Sequence, residues 1–258
     1  MDNRPGASGI VGAEIAAKAA PDGYTFLVAS HASLVINPSL FKSLPYSAER
    51  DFTPVARGVI SPIVLTAHPS VPAKTLPALI ALGKREPGKL TYGTAGAGTP
   101  SNMAVKMIEE AAGVRFVLVP YKGAAQAVLG LLRGEIAFMG SDINTALPHI
   151  QSKKLWPIAA SHRTSHLPGT PSFADAGYAQ VDAYPAFSVV APAGTPPAIV
   201  QRMSAEIVRL MKTPSLREKL DARSLIPVFD TPDEFAAVLA KERAKYAELI
   251  RRNKITSE

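Results

Sequence analysis

The 258-residue chain has no cysteine. That excludes disulfides, thiolate metal centres and cysteine nucleophiles, and it leaves the redox compartment open. Long apolar runs are missing too: nothing approaches the roughly 20 residues of a membrane span. The N-terminus shows no basic-then-apolar leader with a small-residue cleavage site, so the chain as it stands is expected to lack an export signal. Aromatic residues make up only 7% of the chain, with one tryptophan. They do not interleave with a basic stripe as single-strand nucleic-acid binding requires. The net charge of +7 is scattered, and the densest basic run, "KERAKYAELIRRNK", is mixed with Glu242 and Glu248. It reads as a solvated helix face, so no nucleic-acid partner is expected.

Catalytic signatures are also absent. There is no G-x-S-x-G elbow, no G-x-x-x-x-G-K-[ST] loop, no H-E-x-x-H and no EF-hand loop. His162 and His166 stand four apart in a polar loop with no third ligand, so neither a metal nor a cofactor is expected. Ser30 and His31 form a dyad only on paper, because neighbours on a strand point to opposite faces. No enzymatic activity is expected.

What is present is an alternation of apolar runs and helical patterns. Strands are expected at 24–30, 63–67, 90–94, 116–120, 136–140, 157–161 and 187–192. Helices are expected at 10–20, 76–85, 101–112, 124–133 and 144–151. Apolar runs joined by helices imply α/β architecture with mostly parallel sheets flanked by helices. The last third turns helical, in two stretches that each open on Thr-Pro, where threonine caps and proline suits the first turn. In the second, Thr231 and Glu234 have capping-box spacing.

Gly6, Gly9 and Gly12 in "NRPGASGIVG" suggest a phosphate cradle at first sight. A phosphate- or nucleotide-binding enzyme, the rival reading, would need a strand leading in and an acidic residue about 20 positions on. That position falls within apolar "TFLVA". Pro5-Gly6 therefore reads as a turn, Ser8 or Gly9 as the start of a helix, and Gly12 as a close packing point.

Four strand ends carry ligand-binding chemistry: Ser30, His31 and Ser33; Thr94, Gly96, Gly98, Thr99 and Ser101; Tyr121, Lys122 and Gly123; and Ser141 with Asp142. Small residues admit a ligand close to the backbone, and hydroxyls beside helix N-termini suit an anion. Capping alone would equally explain Thr99, Ser101 and Asp142.

At these residues the sequence resembles the Bug-type receptors of tripartite tricarboxylate transporters. The segments that carry the likeness are "NRPGASGIVGAEIAAKAAPDGYTFLVAS", "INPSLFKSLPYSAERDFTPVA", "PGKLTYGTAGAGTPSNMA", "VPYKGAAQAVLGLLRGEI", "ALPHI", "LPGTPSFADAG" and "APAGTPPAIVQRM". The resemblance implies a two-domain fold of periplasmic-binding-protein type II with a ligand cleft between the domains. Domain 1 would comprise 1–66 and 187–258, and domain 2 would comprise 67–186. It implies an extracytoplasmic receptor, periplasmic and monomeric, that binds a small carboxylate (a di- or tricarboxylate, an amino acid or an aromatic acid). Such a receptor passes its ligand to membrane permease subunits and catalyses nothing. Two departures stand out. Ser141-Asp142 occupies the place of a common Asp-Asn pair ahead of "ALPHI". The family's signal peptide and first strand–helix unit have no counterpart before Met1, so a misassigned start or a destabilised, non-functional fragment that would stay cytoplasmic is the alternative.

Overall fold

The computed structural model describes residues 2–4 and 9–257. The Pro5-Gly6 turn and Ser8 lie outside the described residues. In chain order the elements begin with α1 (Ile10–Ala17), β1 (Leu27–Ser30), a π-helix (Ala32–Ile36), α2 (Asn37–Leu40), β2 (Phe52–Ile60), β3 (Ile63–Ala67) and α3 (Leu76–Arg85). Next come β4 (Thr91–Thr94), α4 (Pro100–Ala112), β5 (Val117–Pro120), α5 (Ala124–Leu132), β6 (Phe138–Asp142), α6 (Ile143–Gln151) and β7 (Trp156–Ala160). The chain closes with β8 (Ala186–Pro192), α7 (Pro197–Met211), α8 (Pro214–Asp221), β9 (Ile226–Pro227) and α9 (Pro232–Asn253). They fall into two compact units, residues 1–60 with 186–257, and residues 61–185.

Unit 1 holds the sheet β1-β8-β2-β9. Every pair in it is antiparallel, with Ser30 opposite Phe187 and Ile60 opposite Ala186. Its core sets Val55, Ala56 and Ala191 against Val200 of α7. From α9, Phe235, Leu239, Tyr246 and Leu249 are buried. The capping box that starts α9 is formed: Glu234 N–H donates to Thr231 Oγ1 (3.2 Å), and Thr231 N–H donates back to Glu234 Oε2 (2.8 Å). The first Thr-Pro stretch behaves differently. Pro196 is the cap residue of α7, and the Thr195 hydroxyl turns back to donate to Pro192 O (2.7 Å).

Beside β1 lies a groove of about 720 Å³, lined in part by Ile15, Leu27, Val28 and Phe187. Val28 and Phe187 are about half exposed. Gly9 precedes α1 with φ +84°, a conformation that costs glycine little. A Cβ on Gly12 would make only ordinary van der Waals contact with Arg4 O and Leu27 Cδ1, so the close packing expected there does not require glycine.

Unit 2 holds the sheet β5-β4-β6-β3-β7. Strands β5, β4 and β6 run parallel, while β3 runs against both β6 and β7. The expected mostly parallel sheets are thus mixed in one unit and antiparallel by pairs in the other. The physical reason is that an apolar run buried on both faces reads alike whichever way its neighbour points. Strand β2 was hidden by Pro54, Arg57 and Gly58, residues that do not suit a central strand. A register shift between Pro54 and Ala56 accommodates the proline, and Arg57 pairs with Asp230 at 2.7 Å.

Candidate functional site

In unit 2 the carboxyl ends of β4, β5 and β6 lie side by side, and three of the sequence-predicted segments meet there. Thr94 is paired with Pro120, and Tyr121 N–H donates to Thr94 O at 2.9 Å. Gly93 pairs with Met139, which brings Gly140 beside the end of β4. A Cβ on Gly140 would come within 3.0 Å of Ser101 O, so this glycine lets β6 and the first turn of α4 touch through backbone.

The 94–102 loop is tied to itself. Thr94 Oγ1 donates to Gly96 O (3.0 Å) and accepts from Gly96 N–H (3.2 Å). Thr99 Oγ1 donates to the same carbonyl (2.9 Å) and caps α4 by accepting from Asn102 N–H (3.3 Å). Ser101 Oγ donates to Thr99 Oγ1 (3.2 Å), and Asn102 Nδ2 donates to Ala97 O (2.9 Å). Gly96 sits at φ +154° and Gly123 at φ +110°, both conformations that other residues rarely adopt. Because Pro100 has no N–H and Thr99 takes that of Asn102, the N–H of Ser101 is the donor left at this helix start. A helix start of this kind suits an anion: the Ser101 N–H is open to it, and the Ser101 hydroxyl becomes a donor once it turns from Thr99. Lys122 is exposed on the neighbouring turn.

The other predicted residues of unit 2 do different things. The Tyr121 ring lies over Gly130 of α5 and Gly93 of β4, so its hydroxyl rests on α5. Burial, and then the nearby Glu135 charge, push that hydroxyl's pKa up. Ser141 shares a sheet face with Met139, opposite to Gly140, and therefore faces away from Ser101. Its Oγ is buried without a hydrogen-bond partner. Both oxygens of Asp142 are engaged: Oδ1 caps α6 by accepting from Asn144 N–H (2.9 Å) and also accepts from Asn144 Nδ2 (3.1 Å), and Oδ2 accepts from the Ser61 hydroxyl. The cap expected of Asp142 is formed. Ser61 and Ser161 escaped sequence reasoning. Ser161 Oγ accepts from Ile63 N–H (3.0 Å) and lies 3.0 Å from His162 Nδ1. A serine beside a β3 terminus carried no spacing signal.

In unit 1, Ser30 and Ser33 come together. Ser33 Oγ donates to Ser30 O (2.8 Å), and the two hydroxyls lie 3.2 Å apart. His31 does not join them, and its expected ligand contact is withdrawn. It is 4% exposed, with Nε2 3.2 Å from Glu242 Oε2 and its ring edge-on to Tyr246. The strand ends at Ser30 and a π-helix follows, which swings His31 into the core.

For Glu242, burial raises the carboxyl pKa, but the hydrogen bond from His31 and the charge of Lys245 (2.6 Å) outweigh it and hold the group below the usual glutamate range. An ionised carboxylate only accepts, so His31 Nε2 is the donor. A carboxyl held down stabilises the fold above its unfolded value near 4.3 and loses that contribution as pH falls through its folded value. The Tm of the native protein should therefore exceed that of Glu242→Gln at neutral pH. That gap should narrow between about pH 5 and pH 3 in a thermal melt series, and a constant gap would contradict this.

No group of three or more acidic or histidine side chains that could hold a metal occurs among the described residues.

Comparison with known proteins gives the same outline. The sequence profile of the "Tripartite tricarboxylate transporter family receptor" matches residues 1–255. "Protein BugT" of Bordetella pertussis is 34% identical over 254 residues, 97% of this chain and 78% of that protein. The solved structure of "Rpa4515 with adipate" from R. palustris superposes with a TM-score of 0.85 at 26% identity, covering 99% of this chain and 86% of that one. "MatC (Rpa3494) from Rhodopseudomonas palustris with bound malate" gives a TM-score of 0.77 at 26% identity, over 95% and 85%. The fold is thus that of the α/β periplasmic binding proteins, and the family match makes the chain a solute receptor by class. The chain belongs to the tripartite tricarboxylate transporter receptor family, the TctC or Bug group.

Proposed function

We propose that the protein is a periplasmic receptor that binds a small carboxylate and passes it, as a monomer and without catalysis, to the permease of a tripartite tricarboxylate-type transporter. The observation that carries the reading is the closed hydroxyl loop 94–101 at the N-terminus of α4. It suits a carboxylate, and adipate and malate are named as the bound molecules in two family structures. In this reading the N–H and hydroxyl of Ser101 hold one carboxylate beside Thr99, Lys122 supplies positive charge, and Ser30 and Ser33 belong to a second polar patch on unit 1.

A thermal-shift panel of malate, adipate, citrate and benzoate tests the proposal. At a concentration about 100-fold over Kd, a bound acid adds about 2.7 kcal/mol to stability, which shifts Tm by several degrees. Ser101→Ala should weaken that acid about tenfold or more, as expected for a lost hydrogen bond to a charged group. A panel without any shift would overturn the carboxylate reading.

A further inference from the structure

The π-helix at residues 32–36 is separated from Ser30 only by its cap residue His31, and it contains Ser33. A π turn is wider than an α turn and pairs its carbonyls with the N–H five residues on, as Ala32 O is paired with Asn37 N–H, while Pro38 has no N–H to offer Ser33 O. Two of them find donors far along the chain or across the fold. Ser33 O accepts from the Tyr46 hydroxyl (2.7 Å), and Leu34 O accepts from Arg243 Nε (3.0 Å). Arg243 Nη2 also donates to Ala48 O (2.7 Å). One position earlier on α9, Glu242 takes the bond from His31 at the start of the same π-helix.

Adjacent residues of α9 therefore hold both the start and the middle of the loop, from 211 and 209 positions away in sequence. Glu242 is 2% exposed, so water does not compete for this contact. Arg243 is not there to pair with Glu49. That carboxylate lies 3.9 Å away with its side chain in solvent, whereas both main-chain carbonyls are at or within 3.0 Å.

We propose that Glu242 and Arg243 are positioning residues for the loop 30–36. They fix the π turn so that the Ser30 and Ser33 hydroxyls stay together, and the C-terminal helix thereby sets the geometry of a ligand-facing loop. The consequence for the loop stands on these contacts alone, while the consequence for ligand affinity rests on the proposed carboxylate function.

Hydrogen exchange read by mass spectrometry on the full chain separates this from plain structural support. Arg243→Met and Glu242→Leu should each speed exchange of amides 31–37 about tenfold or more, with strand β2 changing far less. Leu239→Ala, which opens a cavity on the same helix but spares both contacts, should raise exchange in 31–37 and in β2 alike. Glu242→Gln keeps length and an acceptor, so it should fall between wild type and Glu242→Leu and still decides the matter if the leucine variant does not fold. Exchange in 31–37 that stays at the wild-type rate, or merely tracks lost stability as in Leu239→Ala, overturns the proposal. Affinity for malate and adipate, measured on Arg243→Met, forms the second arm. A drop of about tenfold is expected, and unchanged affinity with a loosened loop overturns the ligand consequence. If the wild type binds neither acid, the carboxylate reading and that consequence fail together, while the exchange rates still decide the positioning of the loop.

Discussion

Phe138→Ala is expected to destabilise unit 2 by about 3–5 kcal/mol, the usual range for deleting a fully buried aromatic ring. The ring is 0% exposed, stacks on Tyr92 at 5.7 Å and meets Phe116 edge-on at 4.9 Å. Its backbone sits between β3 and β4, opposite Ala67 and Tyr92, so the strand has no free side on which to relax. A loss of this size lowers Tm by roughly 10 °C or more. The effect should reach the hydroxyl loop as well, because the Tyr92 hydroxyl donates to Asn102 Oδ1 (3.1 Å) and Asn102 ties down Ala97. Circular dichroism melts of the variant measure the first effect, and exchange of amides 95–102 measures the second. A Tm lowered by less than about 3 °C would contradict the packing argument.

Gly140→Val is expected to have the largest effect on binding. The new side chain meets Ser101 O at 3.0 Å and Ser101 Cβ at 3.4 Å, and the first of these is backbone that cannot rotate away. Either β6 or the first turn of α4 must move, at about 1–3 kcal/mol of overpacking. Any such shift carries Ser101 and Thr99 away from Thr94, and catalytic and binding groups tolerate only small misplacement. Affinity for whichever acid gives the largest thermal shift should fall about tenfold or more, with Gly140→Ala intermediate. Calorimetric titration is the check, and wild-type affinity in the valine variant would remove α4 from the binding site.

Both experiments probe the join of β4 and α4, which the sequence located as a strand end and a helix start. The loop 94–101 was legible as a strand-to-helix connection because glycines mark a turn and a threonine ahead of a helical run marks a cap. Helix α3 came out at its expected bounds and the α9 capping box was read correctly, since capping and periodicity are local signals. What stayed hidden was non-local. No spacing rule announces that His31 would bond a glutamate 211 positions away, and the π-helix that makes this possible has no propensity signature of its own. Strand direction was misjudged for the same reason, because β8 meets β1 and β2 only after the chain has built the whole of unit 2. Asp142 shows the limit from the other side: a carboxylate at a strand end suits a ligand or a cap equally well, and Ser61, invisible as a partner in sequence, completes its engagement.

The position of β8 also imposes a timetable. This strand lies inside the unit 1 sheet, between β1 and β2, yet it is made only after residues 61–185. At ordinary synthesis rates that delay is roughly 6–25 s. Unit 2 is contiguous and can close as it emerges, whereas β1 and β2 must wait with their shared neighbour unmade. During that interval β1 and both edges of β2 are open at once, since β9 is later still, and this is when a chaperone would find most to hold.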